Sequence, residues 1–218
     1  MKKGLTELVF ILDKSGSMGG LETDTIGGYN AMLEKQRMVE GECLITTVLF
    51  DNHYELLHDR IDMKAVSPIT EKEYQVGGST ALLDAIGRTI HKIGNAQKHT
   101  AEDYRAEKVM FVIMTDGMEN SSREYSVERI RQMIGRQKTK DRWEFIFLGA
   151  NIDAAETAGH FGITPDRAQN YHADRQGIEL SFHAVCKAVT SVRECAAISG
   201  NWKEDIEKDY KSRGGKNK

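Results

Sequence analysis

Three short stretches, far apart in the chain, hold residues whose types suggest chemistry. Asp13-Lys14-Ser15-Gly16-Ser17-Met18-Gly19 sets three oxygen-bearing side chains at alternate positions. Glycines allow this segment to turn tightly, so all three can face one point. Gly77-Gly78-Ser79-Thr80 and Thr115-Asp116-Gly117 add a third hydroxyl and a second carboxylate. Asp13, Ser15, Ser17, Thr80 and Asp116 together offer only hard oxygen donors, with no thiolate or imidazole, which selects Mg²⁺, Mn²⁺ or Ca²⁺ over zinc. Mg²⁺ wants octahedral geometry and keeps its waters, so five protein groups, some acting through water, leave a position for an outside ligand. Where neutral hydroxyls ligate directly and carboxylates act through water, the ion keeps most of its charge. It then attracts an Asp or Glu carboxylate of a partner protein. The expected function is divalent-metal-dependent protein binding, with no catalytic residue.

For these residues to meet, the elements between them must bring three loops to one edge. Four continuous apolar runs stand out: Leu8–Leu12, Leu44–Phe50, Val109–Met114 and Phe145–Leu148. Hydrophobicity that does not alternate means that both faces are covered, as in strands of a parallel sheet. Between them run segments of helical period: Leu83, Ile86, Ile90 and Ile93; then Val127, Ile130 and Ile134; then Ile178, Phe182, Val185, Val189, Val192 and Ala196. The alternation predicts an α/β fold, doubly wound, with a mostly parallel sheet and helices on both faces. One strand departs from it. Asp51-Asn52 is a turn signal after Phe50, so the segment from His53 to Leu57 returns antiparallel at a sheet edge. The three oxygen-rich stretches then lie at the carboxyl ends of strands, beside the crevice where such sheets bind ligands.

Composition narrows the function classes. The chain has 218 residues, of which 39% are apolar and 29% charged, which is ordinary for a globular domain. With 30 Lys plus Arg against 33 Asp plus Glu, it is too balanced for an electrostatic nucleic-acid binder. Cys43, Cys186 and Cys195 are widely spaced and do not form a disulfide framework, which fits a reducing compartment. The run after Lys2 and Lys3 is cut short by Asp13, unlike a secretion signal, and no stretch approaches the roughly 20 apolar residues of a membrane span. A cytoplasmic protein without membrane contact is expected. Residues 1–202 read as one domain, and from Lys203 to Lys218 the chain reads as a polar, disordered tail.

Asp13-x-Ser15-x-Ser17, Thr80 and Asp116, in this order and each in a strand-end or loop context, resemble the metal-ion-dependent adhesion site of von Willebrand factor type A domains. All five ligands match, and the resemblance covers about residues 5 to 200, edge hairpin included. It implies a six-stranded, mostly parallel Rossmann-like sheet with the metal at its top, and a role in protein–protein interaction. The lack of a secretion signal makes the chain similar to intracellular bacterial-type members. Some of those work beside AAA+ ATPases or in metal-insertion and stress-response assemblies, so an adaptor or regulator role and an AAA+ ATPase partner are implied.

Blander and rival readings attach to the same residues. Ser15, Ser17 and Thr80 are each able to cap a following helix, and Asp116 to serve a turn. Ser15-Gly16-Ser17-Met18-Gly19 approaches the nucleophile elbow Gly-x-Ser-x-Gly, with His160, His172 and His183 downstream, which would make Ser17 a serine hydrolase nucleophile. That reading lacks the first glycine and leaves Asp13, Thr80 and Asp116 unexplained. An Asp13 phosphoryl acceptor fails because Ser15 stands where a second acid belongs. The seven histidines show no His-x-x-x-His spacing, so zinc has little support. Glu119, Asn120, Asn151 and Asp153 read as loop residues near the site, and Met18 as a residue placed to touch a partner.

Overall fold

The strand leading to the first oxygen-rich stretch, β1 (Lys2–Asp13), is buried without a break from Leu5 to Asp13. It lies in the middle of a sheet. In the computed structural model, which describes residues 1–194 and 197–215, six strands run in the order β3-β2-β1-β4-β5-β6. These are β2 (Glu42–Phe50), β3 (Tyr54–Asp62), β4 (Ala106–Thr115), β5 (Glu144–Gly149) and β6 (Ala168–Asn170). All pairings are parallel except β2 with β3, where Phe50 faces Tyr54 across the expected hairpin. The fold class read from the sequence is the one observed.

The helices are α1 (Glu22–Arg37), α2 (Leu82–His99), α3 (Val127–Asp141), α4 (Ala154–His160), α5 (Arg175–Arg193) and α6 (Glu204–Ser212). Side chains alternate across each strand, so the sheet splits the core in two. Leu8, Phe10, Leu12, Met110, Val112 and Met114 face α1 and α5, while Val9, Ile11, Phe111, Ile113, Phe145 and Phe147 face α2, α3 and α4. The three apolar stripes of the sequence belong to α2, α3 and α5, with Ala196 outside the described residues.

One helix carries no such stripe. The buried face of α1 mixes Thr25 and Gln36 with Tyr29, Met32 and Leu33, and Gln36 Nε2 reaches Thr190 Oγ1 on α5 at 2.9 Å. Tyr29 meets Phe10 edge-on at 5.4 Å between centroids. At Gly28 a Cβ would stand 2.4 Å from Cδ2 of Phe182, so only glycine lets α1 approach α5 this closely.

The carboxyl-terminal segment corrects the expectation of a polar, disordered tail. Residues 204–212 are helical, and Ile198, Trp202 and Ile206 are buried in the core cluster on the α5 side. Lys203 Nζ donates to the carbonyls of Pro165 (2.6 Å) and Ala168 (2.7 Å), and Trp202 Nε1 to that of Asp166 (2.8 Å). Only Ile206 of the three lies within α6; Ile198 and Trp202 precede it, and the residues between them are mostly polar or charged. Mean polarity hid that pattern. Cys195, Lys216 and Lys218 lie outside the described residues.

Overpacking the α1–α5 contact gives the first prediction. Gly28→Val should lower the unfolding free energy in urea by about 1–3 kcal/mol, because Phe182 must leave its place. An unchanged midpoint would show that the contact yields freely.

Candidate metal centre

Asp13 is the last residue of β1 and is 1% exposed. Its carboxylate is held from two sides: Oδ1 accepts from the Ser15 amide at 2.7 Å, and Oδ2 from Thr115 Oγ1 at 2.5 Å. Its carbonyl accepts from the buried Tyr74 hydroxyl. Burial raises the pKa of Asp13 above its ordinary value, partly opposed by the bonds from Thr115 and Ser15. After Ser15 the chain makes a single 3₁₀ turn, Gly16–Met18. The turn is pinned by Gly16 N to the Gly78 carbonyl (3.1 Å), Gly77 N to the Lys14 carbonyl (2.9 Å) and Lys14 N to the Phe50 carbonyl (2.7 Å). Gly78 has φ +71°, and a Cβ there would lie 2.1 Å from Asn52 Oδ1. That glycine lets the loop before α2 pass the β2–β3 turn.

The five predicted residues come together. Ser15 Oγ and Ser17 Oγ are 3.1 Å apart, and Ser17 Oγ donates to Asp116 Oδ1 at 2.5 Å. A Cβ built on Gly117 would sit 3.2 Å from Ser17 Oγ and 3.5 Å from Thr80 Oγ1, which places both hydroxyls against the same glycine. Asp116 is 1% exposed and Thr80 3%. The capping readings find no support in these contacts. The side chain of Ser15 makes no cap bond, α1 begins behind Leu21, and α2 begins behind Ala81 with no side-chain cap of its own.

Asp116 supplies the test of whether a cation fits. Its Oδ2 is buried and has no hydrogen-bond partner among the described residues. Burial raises its pKa, and the bond from Ser17 only partly opposes that. A buried carboxylate oxygen left bare is costly unless an ion or donor meets it. Among the described residues no group of three or more His, Cys, Asp or Glu gathers to hold a metal, so a cation here depends on the hydroxyls. The donor chemistry fits a hard divalent ion.

Several residues around the site carried no functional signal in sequence. Thr115, whose hydroxyl holds Asp13, stands out in sequence only as the neighbour of Asp116. Tyr74 and Tyr171, which donate to the carbonyls of Asp13 and Thr115, do not stand out. Asn151 Nδ2 donates to the Asp116 carbonyl at 3.3 Å and has φ +56°, a conformation that Asn tolerates better than most residues. Asp153 caps α4 by accepting from the Glu156 amide. Met18 is not placed to touch a partner: it is 4% exposed and packs in the core, whereas Met118, 72% exposed, stands beside Gly117.

No family model matches the chain, and neither does any curated protein. Solved structures do. The manganese-loaded TRAP protein of Plasmodium vivax aligns with TM-score 0.58 at 20% identity, covering 84% of this chain and 74% of its own. A von Willebrand factor type A protein from Catenulispora acidiphila aligns at TM-score 0.58 and 13% identity, over 85% of this chain and 42% of that one. Proximal thread matrix protein 1 of the mussel byssus, with zinc in its MIDAS motif, aligns at 0.57 and 12%, over 85% and 46%. The chain thus spans less than half the length of the latter two. At these identities the likeness speaks to architecture: the chain has the six-stranded fold of von Willebrand factor type A domains.

Two predictions follow from the buried carboxylates, both read by urea unfolding in chelator. Thr115→Val leaves Asp13 Oδ2 without its donor and should cost about 1–3 kcal/mol. Wild-type-like stability would mean that another group takes over. The second concerns pH. Because the folded pKa of Asp116 is raised above the ordinary 3.8, its contribution is present below that value and is lost as pH rises through the folded value. Asp116→Asn should remove this loss, so its stability relative to wild type should climb from pH 4 to pH 7. A constant difference would refute the assignment.

Proposed function

We propose that this domain is a divalent-metal-dependent protein-binding module, in which Asp13, Ser15, Ser17, Thr80 and Asp116 hold the cation and a partner's Asp or Glu carboxylate completes its shell. The single observation that carries this reading is the buried, unpartnered Oδ2 of Asp116 beside three convergent hydroxyls. Three of the five donors are neutral, so the bound ion retains charge for an outside anion. The ion supplies Lewis acidity toward that carboxylate. The protein supplies a scaffold that holds the donors and excludes water from the carboxylates behind them. Mg²⁺ is the proposed occupant, with Mn²⁺ or Ca²⁺ as replacements of the same oxygen preference. A manganese-loaded Plasmodium protein and a mussel protein with zinc in its MIDAS motif, both of this fold, support the choice of a divalent ion.

The rival hydrolase reading has no matching contact. Ser17 Oγ bonds Ser15 and Asp116, and among the described residues no histidine hydrogen-bonds to it. His172 instead lies against Tyr210, with ring centroids 4.7 Å apart and the planes tilted by 33°. No described helix is long and apolar enough to cross a membrane. Cytoplasmic residence, and service as an adaptor or regulator in an assembly containing an AAA+ ATPase or responding to stress, are part of the proposal and rest on the family resemblance.

The test uses the immobilised chain and a cell extract. With Mg²⁺ present, wild type should retain a partner that is released by chelator and is not retained by Asp13→Ala or Asp116→Ala. Retention of the same partner in chelator would sink the proposal. Direct binding is the better readout, because a metal at about its own Kd adds only about 0.4 kcal/mol to stability.

A further inference from the structure

Thr80 and Asp116 come from different loops, yet the hydrogen bonds behind them make one body. Asn120 Oδ1 accepts from the Thr80 amide at 2.9 Å, and the Asn120 amide donates to the Thr80 carbonyl at 3.0 Å. The Ser121 amide reaches the same carbonyl at 3.2 Å. Both backbone groups of Thr80 are therefore held by the loop that follows Asp116 and not by its own neighbours. Beyond Thr80, the first turn of α2 has no cap from its own loop. Glu119 provides one from across the gap: Oε2 accepts from the Leu83 amide at 2.9 Å, while Oε1 accepts from the Ser121 (2.9 Å) and Ser122 (2.7 Å) amides. The helix returns the arrangement. Asp84 Oδ2 accepts from the Arg123 amide and Oδ1 from those of Glu124 and Tyr125, at 2.9 to 3.0 Å.

We infer that this reciprocal clamp between the loop after β4 and the start of α2 sets the position of Thr80 relative to Asp116, and that Asn120 is the positioning residue for Thr80. The inference rests on the proposed metal site and deepens it. Each acidic side chain of the clamp accepts several amide hydrogens, the arrangement in which a carboxylate bonds most strongly to backbone. No metal is needed to form it. Ser17, by contrast, meets Asp116 through a hydroxyl-to-carboxylate bond that lies among the donors themselves. Thr80 and Asp116 are thus pre-organised, and the cost of ordering them on ion binding is already met by the clamp. Asn120 is exposed and has no role in the core, so its sequence position alone suggests a loop residue.

The test is a Mn²⁺ titration followed by loss of the free-ion paramagnetic resonance signal, on the whole chain. Thr80→Ala should weaken Mn²⁺ binding, and Asn120→Ala should weaken it by about tenfold, equivalent to about 1.4 kcal/mol. Because Asn120 acts through Thr80, the double variant should bind no more weakly than Thr80→Ala alone, whereas independent effects would multiply. Asn120→Asp keeps the acceptor oxygen and should return binding to the wild-type level or better. Wild-type affinity in Asn120→Ala, no effect of Thr80→Ala, or multiplying losses in the double variant would each overturn the inference. A wild-type chain that binds no Mn²⁺ overturns the metal reading itself, a separate result. Should Asn120→Ala fail to fold by circular dichroism, Glu119→Gln carries the same cycle with the same expectation.

Discussion

Everything at the top of this sheet is arranged around two carboxylates that the fold has taken out of water. Asp13 ends β1 and Asp116 follows the end of the adjacent β4, on either side of the point where the strand order reverses. Helices cover both faces there, and both carboxylates are buried. Asp13 resolves its burial locally with two donors. Asp116 resolves half of it through Ser17 and leaves one oxygen bare. A site closed off from water does not hold two charged carboxylates without a donor or a countercharge. The bare oxygen of Asp116 is the group that the proposed cation would meet.

The neutral character of the other donors determines what such a cation could do. A shell rich in carboxylates would cancel the ion's charge and leave little attraction for an outside anion. Hydroxyls orient an ion without neutralising it, and they are small enough to sit on tight turns. Lys14, the nearest cation in sequence, is turned away to pair with Glu55 at 2.6 Å. It does not serve as a fixed countercharge.

The polar scaffold around the site contrasts with the apolar layers below. Tyr74, Thr115 and Tyr171 run hydroxyl bonds from the core to the backbone and carboxylate of the loops. From the surface side, the side-chain oxygens of Glu119, Asn120 and Asp84 accept from backbone amides. The loops are thus fixed both from beneath and from the rim, although they contain many of the chain's turn-forming residues. At the β6 edge, α6 and the turn before it close the side of the sheet with Ile206 and Trp202, and Arg213 pairs with Asp174, the residue that caps α5.

β1, β2, β4 and β5 were legible in sequence because each is apolar on both faces, and β2's turn into β3 was legible from Asp51-Asn52, whereas the three-residue β6 and the short α4 were not. That Asp13, Ser15, Ser17, Thr80 and Asp116 could gather was legible because three separated stretches each placed oxygen donors directly after or before such elements. What composition could not show was any contact made by residues that read as ordinary. α1 was hidden because its buried face includes Thr25 and Gln36, which hydrogen bonds and close approach at Gly28 make acceptable. α6 was hidden because one apolar residue per turn does not stand out in a charged segment. Asn120 and Glu119 read as loop residues because their partners, Thr80 and the Leu83 amide, lie 40 and 36 positions away. Residue type and local spacing determined which donors this protein has. The distances between them, and the oxygen that was left without a partner, were decided only when the sheet brought the ends of β1 and β4 side by side and covered them.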